Sequence, residues 1–213
     1  MRYFPMELER EFARSGVGVI VTELPTLREL SALIRLTFDA PREGAAAVLR
    51  DVPVREALWL MFALVLVLTV LAGEVGALLI AGPSTSVLAS AAVQGASVLL
   101  SVYLLYYVGR AFGGTGTFDG ALALMIWLQF IFIFVQVFFI FVAVAIPAAI
   151  LLVLVLWIGL FLWLTVNFAA ELHGFKRLGP VFLGTLAVVV FMSLVLVVIL
   201  AAFDLSLLSE PEP

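Results

Sequence analysis

Residues 120–170 decide the fold, and they read GALALMIWLQFIFIFVQVFFIFVAVAIPAAILLVLVLWIGLFLWLTVNFAA. These 51 residues contain no Lys, Arg, Asp or Glu. One continuous helix of that length would be about 76 Å long, more than twice the roughly 30 Å hydrocarbon core of a bilayer. The stretch therefore predicts two membrane-spanning helices joined by a turn. We expect the turn between Ala143 and Pro147, because proline cannot continue a helix but suits the first turn of the next one.

The composition of the whole chain indicates the same class of protein. Of its 213 residues 65% are hydrophobic and 12% are charged, whereas soluble proteins average about 45–50% apolar and about 25% charged residues. The continuous apolar runs favour helices over the alternating strands of a membrane barrel. Because the chain has no cysteine, disulfides, thiolate metal sites and thiol catalysis are excluded. The net charge of −4 argues against a nucleic-acid partner, and no pattern predicts a cofactor.

We predict an all-α fold, a polytopic transmembrane bundle of five spans preceded by a short cytoplasmic amphipathic helical segment. The predicted spans are residues 57–80, 87–108, 119–142, 147–170 and 179–204. Turn-forming residues at 82–86 separate the first two spans. The second span is rich in small residues, with Gly95 four positions after Ala91, a spacing that lets helix backbones approach closely. We therefore expect the second span to be the central helix.

The predicted domain organisation has four parts. Residues 1–25 are expected to be a mobile tail, 26–52 two cytoplasmic amphipathic helices, 53–204 the transmembrane domain and 205–213 a disordered acidic tail. Thr26 and Glu29 have the spacing of a capping box at a helix start. The two amphipathic helices either lie on the membrane surface or pack against their own transmembrane bundle.

The basic residues predict the orientation of the chain in the membrane. Eight of the eleven precede the first span, Arg110 lies between the second and third spans, and Lys176 and Arg177 lie between the fourth and fifth. The other three connections have none. Since basic residues favour the cytoplasmic side, this alternation predicts an integral membrane protein with a cytoplasmic N-terminus and an external C-terminus, in the inner membrane if the cell is bacterial.

Polar residues at the cytoplasmic ends of the spans are candidates for binding lipid headgroups or a partner. They are Arg110, Asp119, Asn167, Glu171, His173 and Lys176. The alternative is that they only anchor helix ends at the interface. As the only histidine, His173 lacks the companions of a metal site or a catalytic triad. It suits the end of the fourth span, with Gly174 in the left-handed position that follows a helix.

Three glutamines and one glutamate lie within the spans themselves. Gln94 and Gln136 are expected at similar depth, which predicts that they face each other inside the bundle, with Gln129 nearer the midplane. The alternative is that each glutamine bonds along its own helix. Glu74 lies near the far end of the first span, where it is either solvated at the interface or has a role with a proton or ion.

The order of these features resembles the Yip1 domain, in its bacterial branch, over about residues 36–203. The resemblance is carried by FDAPR at 38–42 in the lead-in and by GGTGTF at 113–118 opening the third span. It implies a five-helix integral membrane protein without known catalytic residues. Eukaryotic members take part in Rab-linked vesicle traffic and membrane shaping; their Asp-Leu-Tyr-Gly-Pro signature is absent here.

Two classes of function follow from the sequence. The favoured one is a non-enzymatic membrane scaffold or adaptor similar to Yip1-domain proteins, acting in membrane organisation or a trafficking-like process. The alternative is a small transporter or channel subunit, which should have several ionisable groups lining a path through the membrane. The expected partners are membrane lipid, together with either another protein or further copies of the chain bound through the transmembrane helices.

Overall fold

The computed structural model describes residues 26–80 and 86–208, apart from the side chains of residue 196 and residues 199–208. Within these residues there are seven α-helices and no strand. In chain order the helices are α1 (Leu27–Asp39), α2 (Pro41–Arg50), α3 (Arg55–Ile80), α4 (Val87–Ala111), α5 (Phe118–Ala145), α6 (Ile150–His173) and α7 (Leu178–Leu208), with a 3₁₀ turn at Pro147–Ala149. The chain divides into two units between Ala32 and Leu33, inside α1.

Five of these helices, α3 to α7, are long and apolar enough to cross a membrane, which confirms the predicted all-α bundle of five spans. The predicted turn is also confirmed, since α5 ends at Ala145 and the 3₁₀ turn begins at Pro147. Helix α7 continues to Leu208, past the predicted end of the fifth span at residue 204. The predictions for residues 1–25, for turn residues 82–85 and for residues 209–213 lie outside the described residues.

Local hydrogen bonds cap the helices near the ends of the predicted spans. The side chain of Ser86 accepts a bond from the N–H of Ala89 at the start of α4, and that of Thr117 accepts one from Gly120 at the start of α5. These bonds satisfy N–H groups that have no partner within the helix. Gly174 has the left-handed conformation, with φ of 70°, that was predicted after α6.

The capping box at the start of α1 is present. The Thr26 N–H donates to the Glu29 carboxylate at 2.8 Å, and the Glu29 N–H donates to the Thr26 hydroxyl at 3.3 Å. Hydrogen bonds from Thr26 hold the pKa of Glu29 below its usual value of 4.5. The bond from the Thr26 backbone has the larger effect, and the bond with the Thr26 side chain has the smaller one. The stability that Glu29 adds through the capping box is fully present above the pKa that Glu29 has in the unfolded chain. It is lost as the pH falls through the lowered pKa of the folded state.

The central helix of the bundle is α5, the third span, and the prediction that the second span would be central is wrong. Ten residues of α5 are buried, all of them from Gly120 to Phe132, whereas α4 buries four. Helix α5 contacts α2, α3, α4 and α6. Small residues in α4 allow close approach, but the large apolar side chains of α5 fill the space between the other helices and so decide which helix is surrounded.

Buried residues concentrate toward one end of the bundle. On α6 they lie between Leu164 and His173, next to the buried first half of α5. The opposite halves of α5 and α6 expose large apolar residues such as Phe138, Phe141 and Leu151, as expected for surfaces that face lipid. Helix α7 packs against α6 and α4, yet none of its residues between Leu178 and Val195 is buried.

Candidate functional site: the basic end of the bundle

The end of the bundle where α4 and α6 finish and α5 and α7 begin holds Arg110, Lys176 and Arg177. We call it the basic end. It also contains most of the buried polar contacts between helices, so the residues predicted as candidates can be considered there in turn.

His173 lies at the centre of the basic end, and only 3% of its surface is exposed. The N–H of Gly116 donates to its Nδ1 across 3.3 Å, and its Nε2 lies 2.9 Å from the carbonyl oxygen of Leu105. Because a backbone N–H can only donate, Nδ1 must be the acceptor and Nε2 must carry the proton. Both ring nitrogens are thus bonded in the neutral state, and the ring joins α4, α6 and the loop before α5.

Three glycines surround the imidazole of His173. A Cβ atom at Gly109 or Gly114 would overlap the ring, and one at Gly116 would lie 2.7 Å from Leu172 and 2.9 Å from the ring. The N–H of Thr115 also reaches the His173 carbonyl oxygen, at 3.4 Å. The glycine-rich loop at 113–118 therefore packs around His173. The ring can be enclosed only because Gly109, Gly114 and Gly116 have no side chains.

Arg42 fastens α2 to the basic end. Its guanidinium donates to the Glu171 carboxylate at 3.1 Å and to the carbonyl oxygen of Phe175, also at 3.1 Å. On the same helix, Ala45 is fully buried, and Leu49 lies against Gly120. The amphipathic helices were predicted either to lie on the membrane surface or to pack against their own transmembrane bundle. Helix α2 packs against the bundle.

The last residues of α1 contact the same bundle. The indole N–H of Trp127 in α5 donates to the hydroxyl of Thr37 at 3.0 Å. Thr37 itself is fully buried, and Ile34 packs against the apolar core. Phe38, near the end of the same helix, is exposed. Thr37 can be buried because its hydroxyl accepts from Trp127 and donates to the Leu33 carbonyl oxygen at 2.8 Å.

Asp119 is held by a second arginine. Arg55 at the start of α3 donates to both oxygens of the Asp119 carboxylate at 3.0–3.2 Å, and Thr117, not Asp119, caps α5. The side chains of Arg55 and Asp119 are 64% and 37% exposed, so water screens this pair and its contribution to stability is small.

The remaining candidates at this end are separate from one another. Arg110 lies over the ring of Tyr106, 5.9 Å from its centroid. Asn167 is buried and donates to the carbonyl oxygen of Trp163 within its own helix, at 2.7 Å. Lys176 is exposed. The six candidates thus do not form one cluster, and the residues that tie the basic end together include Arg42 and Arg55, which the sequence reasoning missed.

The glutamines occupy two places in the bundle. Gln94 and Gln129 line one small cavity of about 10 Å³ together with Thr69, about the smallest volume that can hold a water molecule. The Nε2 atom of Gln136 lies 3.4 Å from the position that a Cβ would take at Gly73 in α3. The pairing of Gln94 with Gln136 stays a prediction, and the contact described for Gln136 is with the first span.

Comparison with known proteins shows the family to which this chain belongs. The family model described as Yip1 domain matches residues 35–199, more than three quarters of the chain. The match includes α2, the glycine-rich loop and His173, the features that join the helices at the basic end. No curated protein and no solved structure matches the chain. With five helices able to span a membrane and a family match of this extent, the chain belongs to the Yip1 domain family.

Proposed function

We propose that this protein is a non-enzymatic integral membrane scaffold, with its basic end in the cytoplasm and α2 presenting a fixed surface to a partner protein. The observation that carries the proposal is the attachment of α2 by Arg42 to Glu171 and to the Phe175 carbonyl. A docking surface on rigid elements loses less conformational entropy on binding than a mobile one. If the cell is bacterial, the proposed location is its inner membrane.

The surface available to a partner is the outer side of α2. Glu43 and Arg50 are exposed there, while Pro41, Gly44 and Ala45 face inward and are buried. This division into a buried and an exposed side supports a role in presenting charged residues. A role in membrane organisation or a trafficking-like process is the form of scaffold function that the family suggests.

Photo-crosslinking in intact cells tests the scaffold proposal. A photoreactive residue at Glu43 or Arg50 should give discrete adducts with one protein, and the same residue at Leu151, an exposed position in the lipid-facing part of α6, should give lipid adducts. The variant Arg42→Ala should weaken the protein adducts. Lipid adducts alone at all three positions would contradict the proposal.

The transporter alternative predicts a different result. Proteoliposomes containing the purified full chain should then carry an ion or solute flux that empty vesicles lack. The scaffold proposal predicts equal flux in both. The ionisable residues that line the cavity between α4, α6 and α7 are His173, Lys176 and Arg177. All three belong to the basic end, whereas a transport path needs polar groups along its length.

A further inference from the structure

A large groove lies between α4, α6 and α7. Its volume is about 910 Å³, at the upper end of the roughly 300–1,000 Å³ typical of small-molecule sites. Most of its lining is apolar, with Leu105, Trp157, Phe161, Val188 and Met192 contributed by the three helices. The groove exists because α7 stands against α6 without burying any residue between Leu178 and Val195.

The groove is long enough to cover one leaflet of a bilayer. On α7 its lining runs from Pro180 to Ser193, which is roughly 20 Å along a helix. Along α4 it runs from Phe112, the residue after the helix, back to Ser97, roughly 22 Å. Half of a hydrocarbon core of roughly 30 Å is about 15 Å. An acyl chain entering at the basic end would therefore be covered over its whole depth in that leaflet.

Two cations stand at the mouth of the groove. Lys176 and Arg177 line it and are exposed. The ion pairs found among the described residues use Arg35, Arg42 and Arg55, so within that part of the chain Lys176 and Arg177 form no ion pair. Basic residues next to an apolar groove are complementary to an anionic headgroup that carries acyl chains.

We propose that this groove binds one anionic phospholipid from the leaflet at the basic end. Its phosphate contacts Lys176 and Arg177, and an acyl chain lies between α6 and α7 against Trp157 and Val188. The lipid fills the space that α7 leaves open and holds that helix to the bundle. This binding does not depend on the partner surface of α2.

Thermal unfolding of the purified full chain in mild detergent tests the proposal. Added phosphatidylglycerol should raise the melting temperature, and phosphatidylcholine should raise it much less. Replacing both cations, in Lys176→Gln with Arg177→Gln, should weaken phosphatidylglycerol binding by roughly thirtyfold, because each basic residue near an anionic lipid surface is worth about fivefold. Arg50→Gln, an exposed cation outside the groove, is the matched control and should leave binding unchanged.

A second variant tests the acyl-chain part of the groove. No side chain lies within 4 Å of the position that a Cβ would take at Gly184, which lines the groove, or at Gly159, which does not. Gly184→Trp should therefore fill the groove and abolish the shift caused by phosphatidylglycerol. Gly159→Trp, on an exposed part of α6, should retain it.

Several outcomes would overturn the proposal. Equal shifts with phosphatidylglycerol and phosphatidylcholine would show that the headgroup is not selected, and a shift produced by inorganic phosphate alone would show a site for a free anion. Native mass spectrometry could instead find a dimer that is lost in the Gly184→Trp variant. That result would show that a second copy of the chain occupies the groove. If Gly184→Trp fails to fold, an undiminished shift in the double cation variant still refutes the proposal.

Discussion

At His173, hydrogen-bond geometry decides which ring nitrogen carries the proton. The N–H of Gly116 faces Nδ1 and the Leu105 carbonyl faces Nε2. Because the chain has a single histidine, ¹⁵N-histidine labelling gives one pair of ring signals. We predict that they show the Nε2–H tautomer near neutral pH. A protonated Nδ1 would contradict the bond to Gly116.

Replacing Gly109 by alanine should destabilise the protein, although alanine has a higher helix propensity than glycine. Replacing a glycine inside a helix by alanine normally stabilises it by about 1 kcal/mol. At Gly109 the new Cβ would overlap the His173 ring, which cannot move aside because both nitrogens are bonded. We predict that Gly109→Ala lowers the free energy of unfolding by about 1–3 kcal/mol through overpacking.

Gly159 is the matched control for this prediction. It also lies inside a long helix, but no side chain surrounds the position of its missing Cβ, so Gly159→Ala should be neutral or slightly stabilising. Thermal unfolding in one detergent compares the two variants. If both shift the melting temperature in the same direction, the packing of glycine against His173 is not what determines stability there.

At the scale of elements, the attachment of α2 depends on one arginine. Arg42→Ala should remove the hydrogen bonds to Glu171 in α6 and to Phe175, two residues beyond that helix. We expect a cost of about 1–3 kcal/mol because both bonds involve a charged group. Hydrogen exchange of residues 41–50 should accelerate as α2 loosens. The exposed pair of Arg35 and Asp39, separated by 3.4 Å, provides the control: Arg35→Ala should leave the exchange of α2 unchanged. Unchanged exchange in Arg42→Ala would show that apolar packing alone holds α2.

The packing of α4 against α3 gives a further test. Gly95 is buried, and its nearest neighbour is the side chain of Leu66, 3.1 Å from the position of a Cβ. A side chain, rather than the neighbouring backbone that the sequence suggested, fills this space. Gly95→Leu should destabilise the bundle by about 1–3 kcal/mol. Ala92→Leu, at an exposed position of the same helix, should have little effect. Equal melting temperatures for the two variants would contradict this packing.

The elements could be predicted from the sequence because their causes are local. The lengths of the apolar runs, Pro147, Gly174 and the Thr26–Glu29 capping box depend on neighbouring residues alone. The contacts among elements could not be predicted in this way. Arg42 and Glu171 are 129 positions apart, and many pairings of charged residues satisfy the same hydropathy pattern. The contact of the glycine-rich loop with His173 was missed for the same reason, since Gly116 and His173 are 57 positions apart.

At the scale of the whole molecule, the polar contacts that join the helices and the basic residues are found at the same end. The ion pairs of Arg42 and Arg55 and the enclosed His173 lie beside the connections that carry Arg110 and Lys176. The positive-inside rule assigns such an end to the cytoplasm. The scaffold surface on α2 and the mouth of the lipid groove would then both be accessible from that side.

Cysteine accessibility tests this orientation and the five-span topology most directly, because the natural chain has no cysteine. Single cysteines would replace Gly113, Ile146, Lys176 and Pro213 in otherwise intact cells. A membrane-impermeant maleimide should label positions 146 and 213 from outside and should reach 113 and 176 only after the membrane is opened. Finding positions 176 and 213 on the same side would contradict the five-span account.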